Sequence, residues 1–578
     1  MSSLYVGVTG LNVSQAALNI TSHNLANVDS KGFVRQQAVL TDFNYIKFGD
    51  SYISSMQKGL GANFATVKQV RDSFLDQAYR QEVGRQAFYE SQYDAVGEVE
   101  GYFGELEGET FQNTLSQFWV SLQELAKQPD SIVARSSFIQ TAVTFTERAE
   151  NISTQLKDYQ VNLNTQIQNQ VNRINEIGNN IKDLNLKIRQ YESNGVEKAN
   201  DLRDERNNLL DELGKYANIT YNENPNGVVE VNLEGTNFVT EDRAYMISTK
   251  KMNDDSEMLK PVWSSHGDMD VFNLDRTPTA ENNTDIGSLK GLLVARGSRQ
   301  ANYTDIPVRS DYSTDALYNT AVADYNNTVN SSVIMSVQAE FDQLIHGITT
   351  TINDVLSPNK EVTQKLSDGT LVKIKILDTD KAPIGMDKAG TAGEALFNRK
   401  STSRYQDPQD ITIIDENGNP QTIHNARIYN EENKNDNYSL FTSGEIEVNP
   451  KIMQSYAYIP LSSNTGSGDY DIGTVNNLIS KWQDAFSTLS PNTLTKNNFN
   501  EYYNAMISEL ATRGEQLHTI STNQASTVES IDNSRSQVTG VSSDDELTNL
   551  IKYQHAYNAS ARYINVVSEM LKDIIDKL

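Results

Sequence analysis

The chain is 578 residues long, more than one hydrophobic core can organise, and 49 Lys and Arg against 76 Asp and Glu leave a formal charge of -27. So acidic a chain is a poor match for a phosphate backbone, and the lack of cysteine removes disulfides, zinc–thiolate centres and thiol nucleophiles. With 37% hydrophobic and 22% charged residues and no apolar run of about 18 residues, much exposed surface is expected, with neither membrane insertion nor nucleic-acid binding.

The first 28 residues hold no Asp, Glu, Lys or Arg; Asp29 is the first charged residue. Leu4, Leu11, Leu18 and Leu25 recur every seven residues. That spacing predicts a helix with a thin apolar line, only weakly amphipathic because Gly7, Ser14 and Thr21 stand between the leucines. No basic segment precedes a compact apolar core, so a Sec-type signal peptide is not expected. Val28-Asp29-Ser30-Lys31-Gly32-Phe33 reads as a turn in which Gly32 can take a positive φ. Residues 52–70 alternate loosely around Gly59 and Gly61, predicting a hairpin or short strands.

Helical patterning resumes near Asp72 and lasts to about Gly214. Within it an apolar seam runs through Ile152, Leu156, Tyr159, Leu163, Ile167, Ile174, Ile177, Ile181, Leu184, Ile188 and Tyr191, with an eleven-residue step from Leu163 to Ile174. A coiled-coil shaft is the favoured reading of that seam; the plainer one is a helix hairpin, with residues 199–213 folding back after Ser193-Asn194-Gly195. Residues 219–231, around Asn224-Pro225-Asn226-Gly227, signal a hairpin, and strand-like text continues to about residue 283. Helix returns over 286–356, with Phe341, Ile345 and Ile348 on one face. A second β-rich block follows at 371–377, 411–414 and 423–429, turning at Asn417-Gly418 and closing on a Gly- and Ser-rich stretch at 462–468. Helix then runs from Val475 toward Val538 through Tyr503, Met506, Leu510, Leu517, Ile520 and Ile531.

The last 36 residues predict one unbroken helix. Its seam is Leu550, Tyr553, Tyr557, Ser560, Ile564, Val567, Leu571, Ile574 and Leu578, in alternating steps of three and four. Ser543 and Glu546 have capping-box spacing, and Lys572 and Lys577 suit the negative end of the helix dipole. A seam at each end of the chain predicts that the ends pair with each other or with copies of themselves.

The expected fold is mainly α with β-rich insertions. It is an elongated multidomain rod whose N- and C-terminal helices pair as a coiled coil, with outer β domains. Its divisions are an axial helix and turn at 1–45, a helical rod domain at 46–215 and a β-rich domain at 216–285. A helical return segment at 286–356, a second β-rich domain at 357–474, a rod return at 475–539 and the C-terminal axial helix at 540–578 complete it.

No catalytic constellation emerges. The six histidines are scattered, with no two four apart and no HExxH. Gly59-Leu60-Gly61 is not followed by the third glycine of a dinucleotide loop, Gly466-Ser467-Gly468 lacks the spacing of a nucleophile elbow, and Asp415-Glu416-Asn417-Gly418 lacks the ligand series of a calcium loop. No catalytic, cofactor-binding or metal-ligating residue is assigned, and no cofactor is expected.

Ser2-Ser3-Leu4, Gly10-Leu11-Asn12-Val13-Ser14-Gln15 and Ser22-His23-Asn24-Leu25-Ala26-Asn27-Val28 closely resemble the start of the bacterial flagellar axial proteins. Gly32-Phe33-Val34-Arg35-Gln36 is similar to the Gly-Tyr-Ser-Arg-Gln pattern of the hook-associated protein 1 family, with Phe33 and Val34 departing from it. Gly540-Val541-Ser542, Asn549-Leu550-Ile551, Tyr553-Gln554, Ala556-Tyr557 and Ala559-Ser560-Ala561-Arg562 agree at the other end, and Gly287-Ser288-Leu289-Lys290-Gly291 in the middle. The resemblance implies a structural flagellar subunit, not an enzyme. Its terminal helices line the inner tube of the axial structure, and its β domains face outward. It further implies self-association in a helical tube at the extracellular hook–filament junction, between hook protein and the next junction protein, hook-associated protein 3. Export would use a flagellar chaperone and the type III apparatus, without a cleaved signal. On this reading the assembly interface comprises Leu4, Leu11, Leu18, Leu25, Asn27, Gly32 and Phe33 with Leu550, Tyr553, Tyr557, Ile564, Val567, Leu571, Ile574 and Leu578. Two other readings stand beside it: another axial protein such as hook protein, and a secreted enzyme domain carried on an axial scaffold.

Overall fold

The computed structural model describes residues 2–577 apart from 31, 52–53, 105–109, 195–197, 254–255, 367, 388, 416–417 and 463–469, and for residues 2, 47–51, 54–57 and 194 it describes the backbone only. Lys31, Tyr52, Gly195, Asn417, Gly466-Ser467-Gly468 and Leu578 therefore lie outside the described residues.

The uncharged start forms helix α1 (Ser2–Ala26), and a turn leads to strands β1 (Gln36–Asp42), β2 (Tyr45–Ser51), β3 (Ser54–Gly59) and β4 (Ala62–Gln69). β1 pairs antiparallel with β4, across the division drawn at residue 45, and β2 pairs with β3. Gly59-Leu60-Gly61 is thus the turn between two strands.

Helices α2 (Ser73–Phe103), α3 (Phe111–Lys127), α4 (Ile132–Tyr191) and α5 (Asn200–Tyr216) come next. Asp72 caps α2 by accepting from the backbone N–H groups of Phe74 and Leu75. The 60 residues of α4 make a helix about 90 Å long, enough by itself to make the molecule elongated. Its seam is buried from Ile152 to Ile188 apart from half-buried Tyr159, and exposed at Tyr191. A coiled-coil shaft is not what buries it. Successive stretches of α4 pack on α3, on helices from later in the chain, on α5 and on small sheets. The physical reason is that Gln160, Asn164 and Asn185 are buried beside the seam, and an apolar partner helix would leave their amides unpaired.

Gln160 is satisfied by Arg296 O, Arg299 O and Gln338, and the asparagines by backbone in and beside small sheets. β5 (Ile219–Glu223), β6 (Val229–Leu233) and β7 (Thr236–Val239) form one antiparallel sheet, and β8 (Ile247–Lys251), β9 (Leu259–Trp263) and β10 (Met269–Asp270) another. Asn185 donates to Val229 O at 2.8 Å and accepts from Val229 N–H at 3.1 Å. Asn175 holds Ile247 the same way at 2.8 and 2.9 Å. Asn164 donates to Glu257 O at 2.8 Å and accepts from Leu259 N–H at 2.9 Å. A carboxamide carries a donor and an acceptor on adjacent atoms, so each asparagine replaces one residue of a missing neighbouring strand. Phe238 then closes against Gly178, where a Cβ would collide with its ring.

The return segment holds α6 (Ser288–Arg296), α7 (Asp315–Thr328) and α8 (Val333–Leu356), with Phe341, Ile345 and Ile348 buried. Beyond it β11 (Asn359–Lys365), β12 (Leu371–Leu377), β13 (Phe397–Arg399), β14 (Gln409–Ile414), β15 (Pro420–Ala426) and β16 (Ile446–Val448) build a four-stranded sheet ordered β12-β11-β14-β15 and a separate β13–β16 pair. Asn353 of α8 clamps Phe397 through its N–H and carbonyl at 3.0 and 2.9 Å. Short α9 (Pro450–Gln454) comes after β16.

The long helix expected from Val475 to Val538 is broken into α10 (Ile472–Gln483) and α11 (Phe499–Thr539). Between them Phe486 N–H donates to Asn497 O, and Asn497 N–H to Ser487 O. Pro491 lies in this loop, and proline has no N–H to continue a helix. Tyr503, Met506, Leu510 and Leu517 of α11 are buried with α2 and α8, whereas Ile520 is exposed. The chain closes with α12 (Ser543–Ile575).

Asn185→Ala leaves a buried strand N–H and carbonyl unpaired and is expected to cost about 3 kcal/mol. Exposed Asn169→Ala should change stability by no more than about 0.5 kcal/mol. Urea denaturation of the two variants checks the difference.

Candidate assembly surface

The ends of the chain meet. α1 and α12 run antiparallel: Gly7 lies against Ile564 and Gly10 against Ser560, while Arg35, beyond the other end of α1, reaches Glu546. A Cβ on Gly7 would fall 2.7 Å from Ile564 Cγ1, and one on Gly10 2.9 Å from Ser560 Oγ. The two helices are therefore as close as glycine allows. The four leucines do not carry the deepest contact. Leu4, Leu11, Leu18 and Leu25 are half-buried, and the buried positions of α1 are Gly7, Thr9, Val13, Ser14, Ala17, Thr21 and Asn24. Small side chains win because they let backbones approach, whereas leucine holds two helices apart.

On α12 the seam residues Leu550, Tyr553, Tyr557, Ser560, Ile564, Val567 and Leu571 are all half-buried. Ile574 is 56% exposed, beyond the reach of α1. The cap differs from the sequence expectation. Ser542, not Ser543, is the N-cap, its hydroxyl accepting from Asp545 N–H. Glu546 does not turn back to the cap. It is buried and accepts from Arg35 Nε at 2.9 Å, an ion pair between residues 511 apart in sequence. Burying Glu546 requires such a partner.

The other face of α1 rests on its own hairpin. Asn24 clamps Gln36 at 2.8 and 3.0 Å, the amide device of α4 used again. Thr9 donates to Val6 O and Leu60 O, and Gly61 at φ 109° leaves room for it. Asn27, Gly32 and Phe33 are not in the helix seam. Asn27 donates to His23 O, Phe33 meets His23 edge-on at 5.4 Å, and Gly32 at φ 80° packs on Asn208 of α5.

A polar joint fastens these termini to the helical body. Arg35 N–H donates to Thr539 O at 2.8 Å. Asp204 of α5 accepts from Val34 N–H at 3.2 Å and Gln69 Nε2 at 2.8 Å. Burial pushes the Asp204 carboxyl up to about 7 despite those donors and nearby Arg71. Deeper in, Arg535 of α11 bridges Asp76 of α2 and Asp211 of α5 at 2.9 and 2.8 Å and covers the Tyr79 ring at 4.2 Å. Burial alone would raise the Asp76 carboxyl, but Arg71, Arg80 and Arg535 hold it below its ordinary value.

A second apolar stripe, not read as such from the sequence, lies exposed on α12: Val566, Met570 and Ile574, in steps of four, beside Tyr563, whose ring also reaches Gly7 of α1. Leu547 and Ile551 are exposed near its start, and Tyr5 and Val8 on α1. The signal was present in the 3.6-residue period, overshadowed by the stronger seam beside it. Among the described residues no cluster of His, Cys, Asp or Glu could hold a metal, and no helix is long and apolar enough to cross a membrane.

Both ends match models of flagellar rod proteins, residues 4–33 the "Flagella basal body rod protein" family and residues 534–577 the "Flagellar basal body rod FlgEFG protein C-terminal" family. These paired termini are similar to those of flagellar axial proteins. Residues 96–367 match the "Flagellar hook-associated protein FlgK helical domain" model. Over the full chain, flagellar hook-associated protein 1 of Bacillus subtilis is 24% identical across 601 aligned residues and covered to 99% of its length. Its Salmonella typhimurium counterpart is 23% identical across 586 and covered to 100%. The solved flagellar hook junction protein FlgK from Burkholderia pseudomallei shares the fold, with a TM-score of 0.51 and 13% identity over 80% of this chain and 100% of that one. Within that class, the chain is similar over its full length to flagellar hook-associated protein 1, and over residues 96–367 to the helical domain of that family.

Gly7→Leu should drive α1 off Ile564 at a cost of about 2 kcal/mol, read as lost hydrogen-exchange protection in both terminal helices; Asn12→Leu, on the exposed side of α1, should leave it intact. Asp204 keeps its proton in the folded chain up to about pH 7 and loses it near 3.8 when unfolded. The folded state therefore binds the extra proton between those values, and stability at the joint falls as pH rises toward 7. Asp204→Asn, still able to accept from Val34, should flatten that dependence in urea denaturation across the range.

Proposed function

We infer that the chain is a structural subunit of the bacterial flagellum that links hook to filament and carries no enzymatic activity. The observation behind this reading is the glycine-mediated pairing of the chain ends, Gly7 on Ile564 and Gly10 on Ser560, in a chain whose ends match rod proteins and whose helical body matches the hook-associated family. The paired helices leave Val566, Met570 and Ile574 exposed, and we assign that stripe to the terminal helices of neighbouring subunits. An interface between two different patches is heterologous, and where its rotation does not close a ring it builds a helical tube. The interface then comprises the α1 and α12 seam residues, with Asn27, Gly32 and Phe33 fixing the turn that leads out of the tube. Residues 1–45 and 540–578 form its inner layer, the helical segments the next, and the blocks at 216–285 and 357–474 face outward. Hook protein lies on one side and hook-associated protein 3 on the other. The subunit reaches this extracellular position through the type III apparatus with a chaperone, without a cleaved signal.

Immunogold labelling of isolated flagella with antibody against residues 371–430 tests the position. A narrow band between hook and filament is expected; label along the whole hook would make the chain a hook protein. Ile564→Asp places a charge in the seam, where each buried aliphatic side chain contributes about 1.5–3 kcal/mol. It should leave secretion intact and block stable incorporation; normal, shear-resistant filaments from this variant would contradict the reading.

A further inference from the structure

A groove of about 890 Å³ lies between α2 and α4. Three tyrosines, Tyr93, Tyr102 and Tyr159, line it with Leu163 and Leu292, and three carboxylates, Asp94, Glu98 and Asp158, stand at its rim. Among the described residues none of these carboxylates forms an ion pair, although Asp76 and Glu82, earlier on α2, both do. The groove carries uncompensated negative charge. Burial and the neighbouring Glu98 raise the Asp94 carboxyl, and burial followed by Glu98 and Asp158 raises the Tyr102 hydroxyl. The side-chain oxygen Oε1 of Gln155 is buried in the wall without a donor. The α2 side is open, since a Cβ on Gly97 would meet nothing within 4 Å.

The complementary shape is on the same chain. The loop between α10 and α11 is held firmly. Leu489 and Ser490 are buried, Thr493 N–H donates to Ser490 O, and Asn492 exchanges amide hydrogen bonds with Asn326 of α7 at 2.7 and 3.3 Å. Yet its tip presents Leu494, 96% exposed, and exposed Lys496. A rigid loop that offers one apolar and one cationic side chain loses little entropy on docking. On its own molecule the middle of the groove, at Val96, lies level with Gly514, about 22 Å along α11 from Phe499, where the loop ends.

We propose that the Leu494–Lys496 tip of one copy of this chain docks into the tyrosine-lined acidic groove of the next copy. Leu494 fills the apolar floor, and the Lys496 ammonium sits among Asp94, Glu98 and Asp158 against the tyrosine rings. Tip and groove are different patches, so the contact propagates from subunit to subunit. The proposal rests on the assembly reading and adds a specific contact outside the terminal helices.

The full chain has no cysteine, so a doubly substituted chain, Gly97→Cys with Thr495→Cys, can be cross-linked without background in isolated flagella. Thr495→Cys keeps Leu494 and Lys496, and Asn162→Cys on the α4 wall replaces Gly97→Cys if that variant does not assemble. The expected result is a ladder of linked copies that needs both cysteines. Glu98→Lys should reduce it about tenfold, as a like-charge pair replaces an unlike one, and so should Lys496→Glu, which sets a carboxylate among Asp94, Glu98 and Asp158. Flagella with the normal junction band but no ladder from either pair would overturn the contact and leave the junction assignment standing. A band missing even for the unsubstituted chain would instead overturn the assignment itself. Cross-links from residue 97 to a different protein would show that the groove serves another partner and would overturn the self-docking.

Discussion

The close approach of α1 and α12 at Gly7 and Gly10 is the constraint on which the rest of the molecule depends. Those helices occupy opposite ends of a 578-residue chain. To bring them together, every element between must go out and return, and the helices that leave and re-enter have to pack side by side. The pairing of α2 with α11, and the Arg535 bridge to Asp76 and Asp211, accomplish that return. The ion pair of Arg35 with Glu546 then fixes the entry of one terminal helix to the start of the other.

The body solves a different problem with one recurring device. Long helices carry small sheets on their flanks, and a sheet edge is a row of unpaired N–H and C=O groups that cannot be buried unmatched. Asn164, Asn175, Asn185, Asn353 and Asn24 each present a carboxamide to such a segment. Each pairs a backbone donor and acceptor where apolar packing alone would strand both. The β blocks are thereby fixed to helices, away from the paired chain ends.

Fold class and termini were legible because both rest on local patterns: the three-four spacing of the last helix, the uncharged start and the Gly-Asn turn signals. Ser542 capping was missed by one residue because Ser542 and Ser543 are adjacent and chemically alike, and only backbone geometry separates them. Glu546 was read as a capping residue because its local partner is visible in sequence and its real one, Arg35, is 511 residues away. The α4 seam looked like a coiled coil because heptad spacing records only that one face is buried, not what buries it. Gln160, Asn164 and Asn185 held the missing information, since buried amides exclude a purely apolar partner helix.

The sequence by itself determined that the ends of this chain are helices with one apolar face each, that β blocks interrupt a helical rod, and that no catalytic group is assembled by spacing. Those features follow from periodicity, which a chain carries locally. Only the tertiary structure decided that glycines rather than leucines sit at the deepest contact, and that a second stripe on α12 remains uncovered. It alone brought Asp204, Arg71 and Val34 to one joint. The reason is physical: whether a residue is buried depends on how closely two backbones approach, and that distance is set by the pair, not by either stretch of sequence alone.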